Sequence, residues 1–242
     1  CKMKFGIAND VRSEVRECTP DLLNEALDAP QVARVCAEIE DALEALRRGG
    51  LTQDEYETIK ANLKKKLPIV TFHATFKNGK RKNSEAIPSG LCIYDLDHIP
   101  NPRGKWAEIE SRKEELGILL AHITPSTEGL RLVFVNPAGL SLAEAQAWMA
   151  HQLDDTQYDA CVKDYARCSY LVPREYVLWM NMEGLFSVEN TKVDEYADAS
   201  ETLRRDAPLN DKREQSKYPE TFESIPYASI VAEWFRRNGG EP

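Results

Sequence analysis

No stretch of 18 or more apolar residues occurs in this 242-residue chain, which excludes a transmembrane helix and leaves no membrane partner to expect. The start, Cys1-Lys2-Met3-Lys4-Phe5, lacks the charged-then-apolar pattern of a secretory signal. Position 1 is not Met, so the chain reads as a piece of a longer protein. The six cysteines include no C-x-x-C pair and no zinc spacing. Cys36 and Cys92 fall in apolar-periodic runs and read as small core residues, so a reduced, cytoplasmic protein is expected. No internal repeat is present. Acids are missing altogether between Lys60 and Lys82, although the whole chain carries 40 acids against 31 bases and a net charge of -9.

That last absence matters because acidic proteins repel polyanions. Lys64, Lys65, Lys66, Lys77, Lys80, Arg81 and Lys82 form two basic runs on an otherwise acidic body. The plain reading is a solvated helix end and a hairpin tip. The functional reading is a local patch for phosphate or nucleic acid.

What is present divides the chain into three. Residues 1–66 read as a helical region. Pro20-Asp21 opens a helix, Gln31 to Arg48 has helical apolar spacing, and Thr52 with Glu55 forms a capping box for a third helix ending before Pro68. Residues 67–188 change period. Ile69 to Phe76 reads as one strand and Asn78-Gly79 as a turn; Gly90 to Asp97 is a second, strongly apolar strand. Trp106 to Leu116 follows as a helix, then strands Ile118 to Thr124 and Leu130 to Val135, a helix capped by Ser141, and a closing strand near Tyr176 to Met180. Strand, helix, strand, strand, helix, strand is the order of an RRM-like or ferredoxin-like α+β unit. Residues 189–242 read as a charged linker and the start of a further region, with a short helix at Ser224 to Phe235.

Three features can carry chemistry. Tyr94-Asp95-Leu96-Asp97 ends the apolar strand, and alternation sends both carboxylates from one face. Such pairs repel unless a cation sits between them, so they often hold magnesium or manganese. On that view, removing either acid should leave the melting temperature unchanged or raised. The competing reading is a strand end with solvated acids. Pro125-Ser126-Thr127-Glu128-Gly129-Leu130-Arg131 is a polar turn into a strand, suited to a phosphate or simply a hairpin with an edge arginine. Tyr158-Asp159, followed by Asp164 and Arg167, supplies a third acid and a base. Asp164 and Arg167 stand at helical spacing and can pair, which favours Asp159 as the functional acid. His73, His98, His122 and His151 share no spacing and read as core or surface residues.

In this order the three features resemble the archaeo-eukaryotic primase, or primase-polymerase, superfamily. More narrowly, Lys66-Leu67-Pro68-Ile69-Val70-Thr71-Phe72, Ser89-Gly90-Leu91 and Tyr94 to His98 resemble the VirE N-terminal-type domain of primase-helicase-like proteins from Bacteroidetes, their phages and mobile elements. The resemblance spans roughly Leu67 to Met180. It implies a DNA primase performing template-directed nucleotidyl transfer with two Mg2+ or Mn2+ ions on Asp95, Asp97 and Asp159. Ser126, Gly129, Arg131 and Arg167 would bind the nucleotide, and the two basic runs would contact a single-stranded DNA template. NTP or dNTP would be substrate, and a helicase domain or subunit a further partner. Arg131 stands where the family has histidine, so a degenerate domain that binds nucleic acid or docks a partner is the alternative. A glycosyltransferase would also use Asp-x-Asp, but it needs a doubly wound half ahead of the motif, where this chain reads as helices.

Overall fold

The computed structural model describes residues 4–156, 158 and 164–187, together with the strands at 221–222 and 225–226. Asp159 and the whole 189–217 stretch lie outside the described residues. The chain divides into a unit Cys1–Glu201 and a unit Thr202–Pro242. In the second, β11 (Thr221–Phe222) and β12 (Ile225–Pro226) pair antiparallel. Strand therefore stands at 225–226, where the sequence suggests a helix; residues 227–235 lie outside the described ones.

The first unit is α+β, as expected. Its helices begin where sequence chemistry dictates. Thr19 caps α1 (Pro20–Leu27), and α2 (Pro30–Arg47) starts on a proline. The Thr52–Glu55 capping box opens α3 (Gln53–Lys64). α4 (Pro102–Ile109) starts earlier than apolar spacing suggests, because Asn101 accepts from the Gly104 N–H and Pro102 sets the first turn.

Two four-stranded sheets follow. β1 (Gly6–Ala8), β2 (Arg16–Glu17), β3 (Ile69–Thr71) and β9 (Ser169–Tyr170) form one, in the order β2-β1-β3-β9. Its first two strands lie in the region read as helical. The single strand expected over 69–76 is two. After β3 the chain turns at Phe72 and His73, with the Thr71 hydroxyl donating to the Ala74 carbonyl, and β4 (Ala74–Phe76) then pairs with β5 (Ala86–Pro88).

The second sheet has the order β10-β7-β8-β6, all antiparallel. It is built from β6 (Leu91–Asp97), β7 (Ile118–Ile123), β8 (Gly129–Val135) and β10 (Val177–Met180). The Ser141–Glu144 capping box opens α5 (Leu142–Gln152) on the segment between β8 and β9. The strand-helix order matches the expectation, but β10 closes the sheet beside β7, whereas a ferredoxin-like unit closes beside its first strand. A physical reason lies in the other rim. The Ile93 N–H of β6 donates to His73 Nε2 at 3.1 Å, the Ile93 carbonyl accepts from Gln146 Nε2 at 3.2 Å, and the Leu91 N–H donates to the Ser89 hydroxyl. The outward backbone groups there already have partners.

One apolar cluster links the two sheets. Ile7 and Val70 of the first, with Phe5 and Phe72 beside them, cluster with Leu91, Ile93, Val133 and Val135 of the second, together with Leu23 and Leu27 of α1 and Leu185 of α6 (Met182–Phe186). Asp95 and Asp97 continue the Leu91–Ile93 face of β6. The site thus stands at the charged end of the layer between the sheets. α2 and α3 pack with Ile123, Val172 and Tyr176 in a second cluster at that end.

Candidate functional site

Register decides what Asp95 meets. In the β6–β8 ladder Asp95 stands opposite Arg131, and in the β7–β8 ladder Arg131 stands opposite His122. Directly opposed residues in antiparallel strands share a face. A carboxylate, a guanidinium and an imidazole therefore form one row across three strands. Arg131 donates from Nε to Asp95 Oδ1 at 2.5 Å and from Nη2 to Oδ2 at 2.7 Å. The two side chains retain only 10% and 13% of their exposure. Arg167 adds a second guanidinium, its Nη2 lying 3.8 Å from Asp95 Oδ2. Burial by itself would raise the Asp95 carboxyl; Arg131, through charge and hydrogen bonds, and then Arg167 more than offset it and hold it below the usual carboxylate range.

Asp97, two residues on, is exposed and stands opposite Gly129. Gly129 answers to close packing: a Cβ there would lie 2.8 Å from Thr124 Oγ1 and 3.3 Å from the Leu96 carbonyl. Ser126, half-buried in the turn, shares a hydrogen bond with the Thr124 hydroxyl at 3.2 Å. Glu128 of the same turn pairs with Arg47 of α2 at 3.1 Å. The strand end opens onto a cleft of about 560 Å3 bordered by Asp95, Asp97, Lys105, Asp154, Asp155 and Tyr158.

The basic runs are used unequally. Lys64, at the end of α3, is half-buried. Its pKa is lowered first by burial, then by Lys60 and Arg131, against the pull of Asp97, which places its ammonium in the same field as the site. Lys65 and Lys66 are exposed, as are Lys77, Lys80 and Lys82. Arg81 is a clamp. Its guanidinium donates to the carbonyls of Ala166 and Val11, at 3.0 and 3.1 Å, and approaches Cys168 Sγ at 3.3 Å.

Asp164 does not pair with Arg167 as its spacing suggests. Its carboxylate accepts from Asn83 Nδ2 at 2.7 Å, and the Ala166 N–H donates back to Asn83 Oδ1. Arg167 is thereby presented to Asp95. Sequence reasoning passed over Asn83; His73 and His122, read as core or surface residues, are in the core. His73 is buried with Nε2 accepting from Ile93, so Nδ1 carries the proton and donates to the Asp164 carbonyl at 3.1 Å. His122 is buried beside Arg131. Burial lowers both imidazoles to about 4, so both are neutral near pH 7. A register signal for His122 was present: a hairpin closed by Thr124 and Gly129 puts residue 122 opposite 131.

A divalent ion does not fit these side chains as they stand. Arg131 engages both oxygens of Asp95, and among the described residues no three His, Cys, Asp or Glu side chains converge as a metal set. The arrangement sets Lys64, Arg131 and Arg167 around Asp95 and Asp97, while the cleft beyond is bordered by two further acids, Asp154 and Asp155, and by Lys105.

Residues 62–170 match the model of the BT4734-like N-terminal domain family, a span that contains β6, the turn, Arg131 and Arg167. No curated protein and no solved structure gives a significant match to the chain. Among the described residues no helix is long and apolar enough to cross a membrane.

Proposed function

We propose that this chain carries a primase-polymerase-type palm that binds a nucleoside triphosphate and a single-stranded DNA template, and transfers nucleotides in the replication of a mobile element or phage. The observation that supports it most is the register. It sets the strand-end acid Asp95 against Arg131 and Asp97 against Gly129, and Arg167 and Lys64 lie in the same field. Acids for activation and cations for phosphate thus sit at one strand end, as nucleotidyl transfer requires. Arg167 and Lys64 would draw the triphosphate in, and Arg131 would fork onto its oxygens. The exposed Lys65, Lys66, Lys77, Lys80 and Lys82 would touch template phosphates. Mg2+ or Mn2+ belongs to the same proposal: Asp95, Asp97 and Asp159 would hold it once Arg131 had left Asp95, and it would supply charge stabilisation for the leaving pyrophosphate. A cytoplasmic setting and a helicase partner are proposed with it; Cys18, Cys36, Cys92 and Cys168 are free thiols, in keeping with a reducing compartment.

The Arg131–Asp95 fork favours a second reading, a palm that binds nucleic acid or nucleotide without synthesis. A primer-synthesis assay on single-stranded DNA with Mg2+ or Mn2+ separates the two. Asp97→Asn is the better control, because the exposed Asp97 can be changed without stranding a buried partner. Synthesis by the wild type that Asp97→Asn abolishes supports the polymerase. Nucleotide binding with no synthesis under either ion supports the binding module.

A further inference from the structure

A second concave surface lies between residues 8–16 and residues 79–82. Two adjoining hollows there, of about 270 and 600 Å3, share Ser13, Glu14 and Gly79. Their walls are tied together. The Val15 N–H donates to the Gly79 carbonyl at 2.9 Å, and Arg81 Nη2 donates to the Val11 carbonyl at 3.1 Å. Asp10 Oδ1 accepts from the Arg12 and Ser13 N–H groups, which fixes the turn that carries Arg12. Charge on this surface is one-sided. Among the described residues Arg12, Arg16, Lys80, Arg81 and Lys82 line the hollows, with Glu14 as the one acid. Asp10, just outside, is engaged in its own turn, and Glu17 is paired with Lys4 at 2.8 Å. None of the five bases is in an ion pair with a described residue, whereas Arg34, Arg47, Arg48 and Arg174 elsewhere on the surface all are. Arg81 spends its donors on two carbonyls and a thiol, so no acid cancels its charge. No described aromatic side chain lines either hollow, so a base has nothing to stack on, and an anionic backbone suits the surface better.

We propose that this groove carries the sugar-phosphate backbone of a single-stranded DNA, held by Arg12 and Arg16 from one wall and by Lys80 and Lys82 from the other. All four are exposed. Arg12 and Arg16 precede residue 62, so their wall lies outside the span matched to the family. Arg81 ties the groove to the strand-end site: it holds the Ala166 carbonyl at 3.0 Å, and the next residue, Arg167, reaches Asp95. The inference rests on the template reading of the basic runs and deepens it, adding an N-terminal wall that gives the strand a path.

The test uses the whole chain in EDTA and follows labelled oligothymidylate by fluorescence anisotropy across a salt series. One variant strips each wall, Arg12→Gln/Arg16→Gln and Lys80→Gln/Lys82→Gln. A third, Arg34→Gln/Arg48→Gln, makes the same charge change on α2, away from the groove. Each wall variant should weaken binding about tenfold and make the slope of log affinity against log salt about 1.4 less steep, the value for two lost contacts to a single strand. The α2 variant should stay within about twofold of the wild type, with its slope unchanged. A mixed-sequence oligonucleotide should bind as oligothymidylate does, because backbone contacts carry no base preference. Should one wall variant fail to fold, the other carries the same expectation. Loss in the α2 variant equal to that in the wall variants overturns the proposal, and so does loss confined to Lys80→Gln/Lys82→Gln. Poly-glutamate that competes as well as DNA overturns the DNA occupant. Primer synthesis is scored apart. Wall-dependent DNA binding without synthesis keeps the groove and removes the polymerase; synthesis with DNA binding untouched by either wall variant does the reverse.

Discussion

The layer between the two sheets has an apolar end and a charged end, built on the same strands. Leu91 and Ile93 of β6 share one apolar cluster with Val70 and Phe72, while two residues further along the same face Asp95 pairs with Arg131. At the apolar end stability comes from area removed from water and varies smoothly with side-chain size. At the charged end it depends on pairing, since either partner left alone is a buried unpaired charge. One end tolerates approximation and the other does not.

The largest effect should come from splitting the pair. Asp95→Asn leaves Arg131 buried without its counter-ion and should destabilise the chain by roughly 3–5 kcal/mol, read from urea unfolding. Asp97→Asn should change stability by no more than about 0.5 kcal/mol. This reverses for Asp95 what like-charge repulsion between the two acids implies. Replacing both partners, as in Asp95→Leu/Arg131→Met, should recover most of the loss. If Asp95→Asn is as mild as Asp97→Asn, the two ends do not differ.

Acid should come next. His73 and His122 titrate near 4 in the folded state and near 6.5 when unfolded, so the unfolded chain takes up protons first. Their contribution is complete above about pH 6.5 and is lost as pH falls toward 4, by roughly 3 kcal/mol for each histidine. Asp95, whose carboxyl is lowered, loses its own contribution only below about pH 4, as pH falls through its folded value. Urea midpoints between pH 7 and pH 4.5 should therefore fall steeply, and His122→Gln should flatten the slope. A slope unchanged by that substitution would mean His122 is not held neutral.

Smaller again is Ile93→Val at the apolar end, expected at about 0.5–1.5 kcal/mol and insensitive to salt. The smallest concerns the lysines. Lys64→Gln should weaken tripolyphosphate binding several-fold, whereas Lys65→Gln, one residue on and exposed, should leave it within about twofold, both by calorimetry. Equal effects would make the basic run a diffuse field.

Much of this was legible in the sequence, and the reasons differ by element. β6 and its paired acids followed from an apolar run with alternation at its end, and the helix caps from Thr52–Glu55 and Ser141. β1 and β2 were not legible, because strands of three and two residues carry no period of their own; they exist by pairing, β1 with β3 and β2 with β1. The break at Phe72–His73 was hidden because alternation continues through it. Asp164 and Arg167 show the limit most clearly. Helical spacing predicts that they pair, yet one is held by Asn83, 81 residues away, and the other reaches Asp95. Such partners are chosen by tertiary packing, which local spacing does not encode.

The side-chain bonds along the rim of β6 also bear on solubility. An unpaired strand edge invites another chain to add to it, and aggregation often starts there. Here His73 and Gln146 occupy the Ile93 amide and carbonyl, so the middle of the rim presents filled hydrogen bonds to an approaching strand. The protection is conditional, because a doubly protonated His73 can no longer accept from Ile93. Acid near pH 4 would then free the Ile93 amide on a largely apolar strand, and the chain would be expected to clump before it fully unfolds.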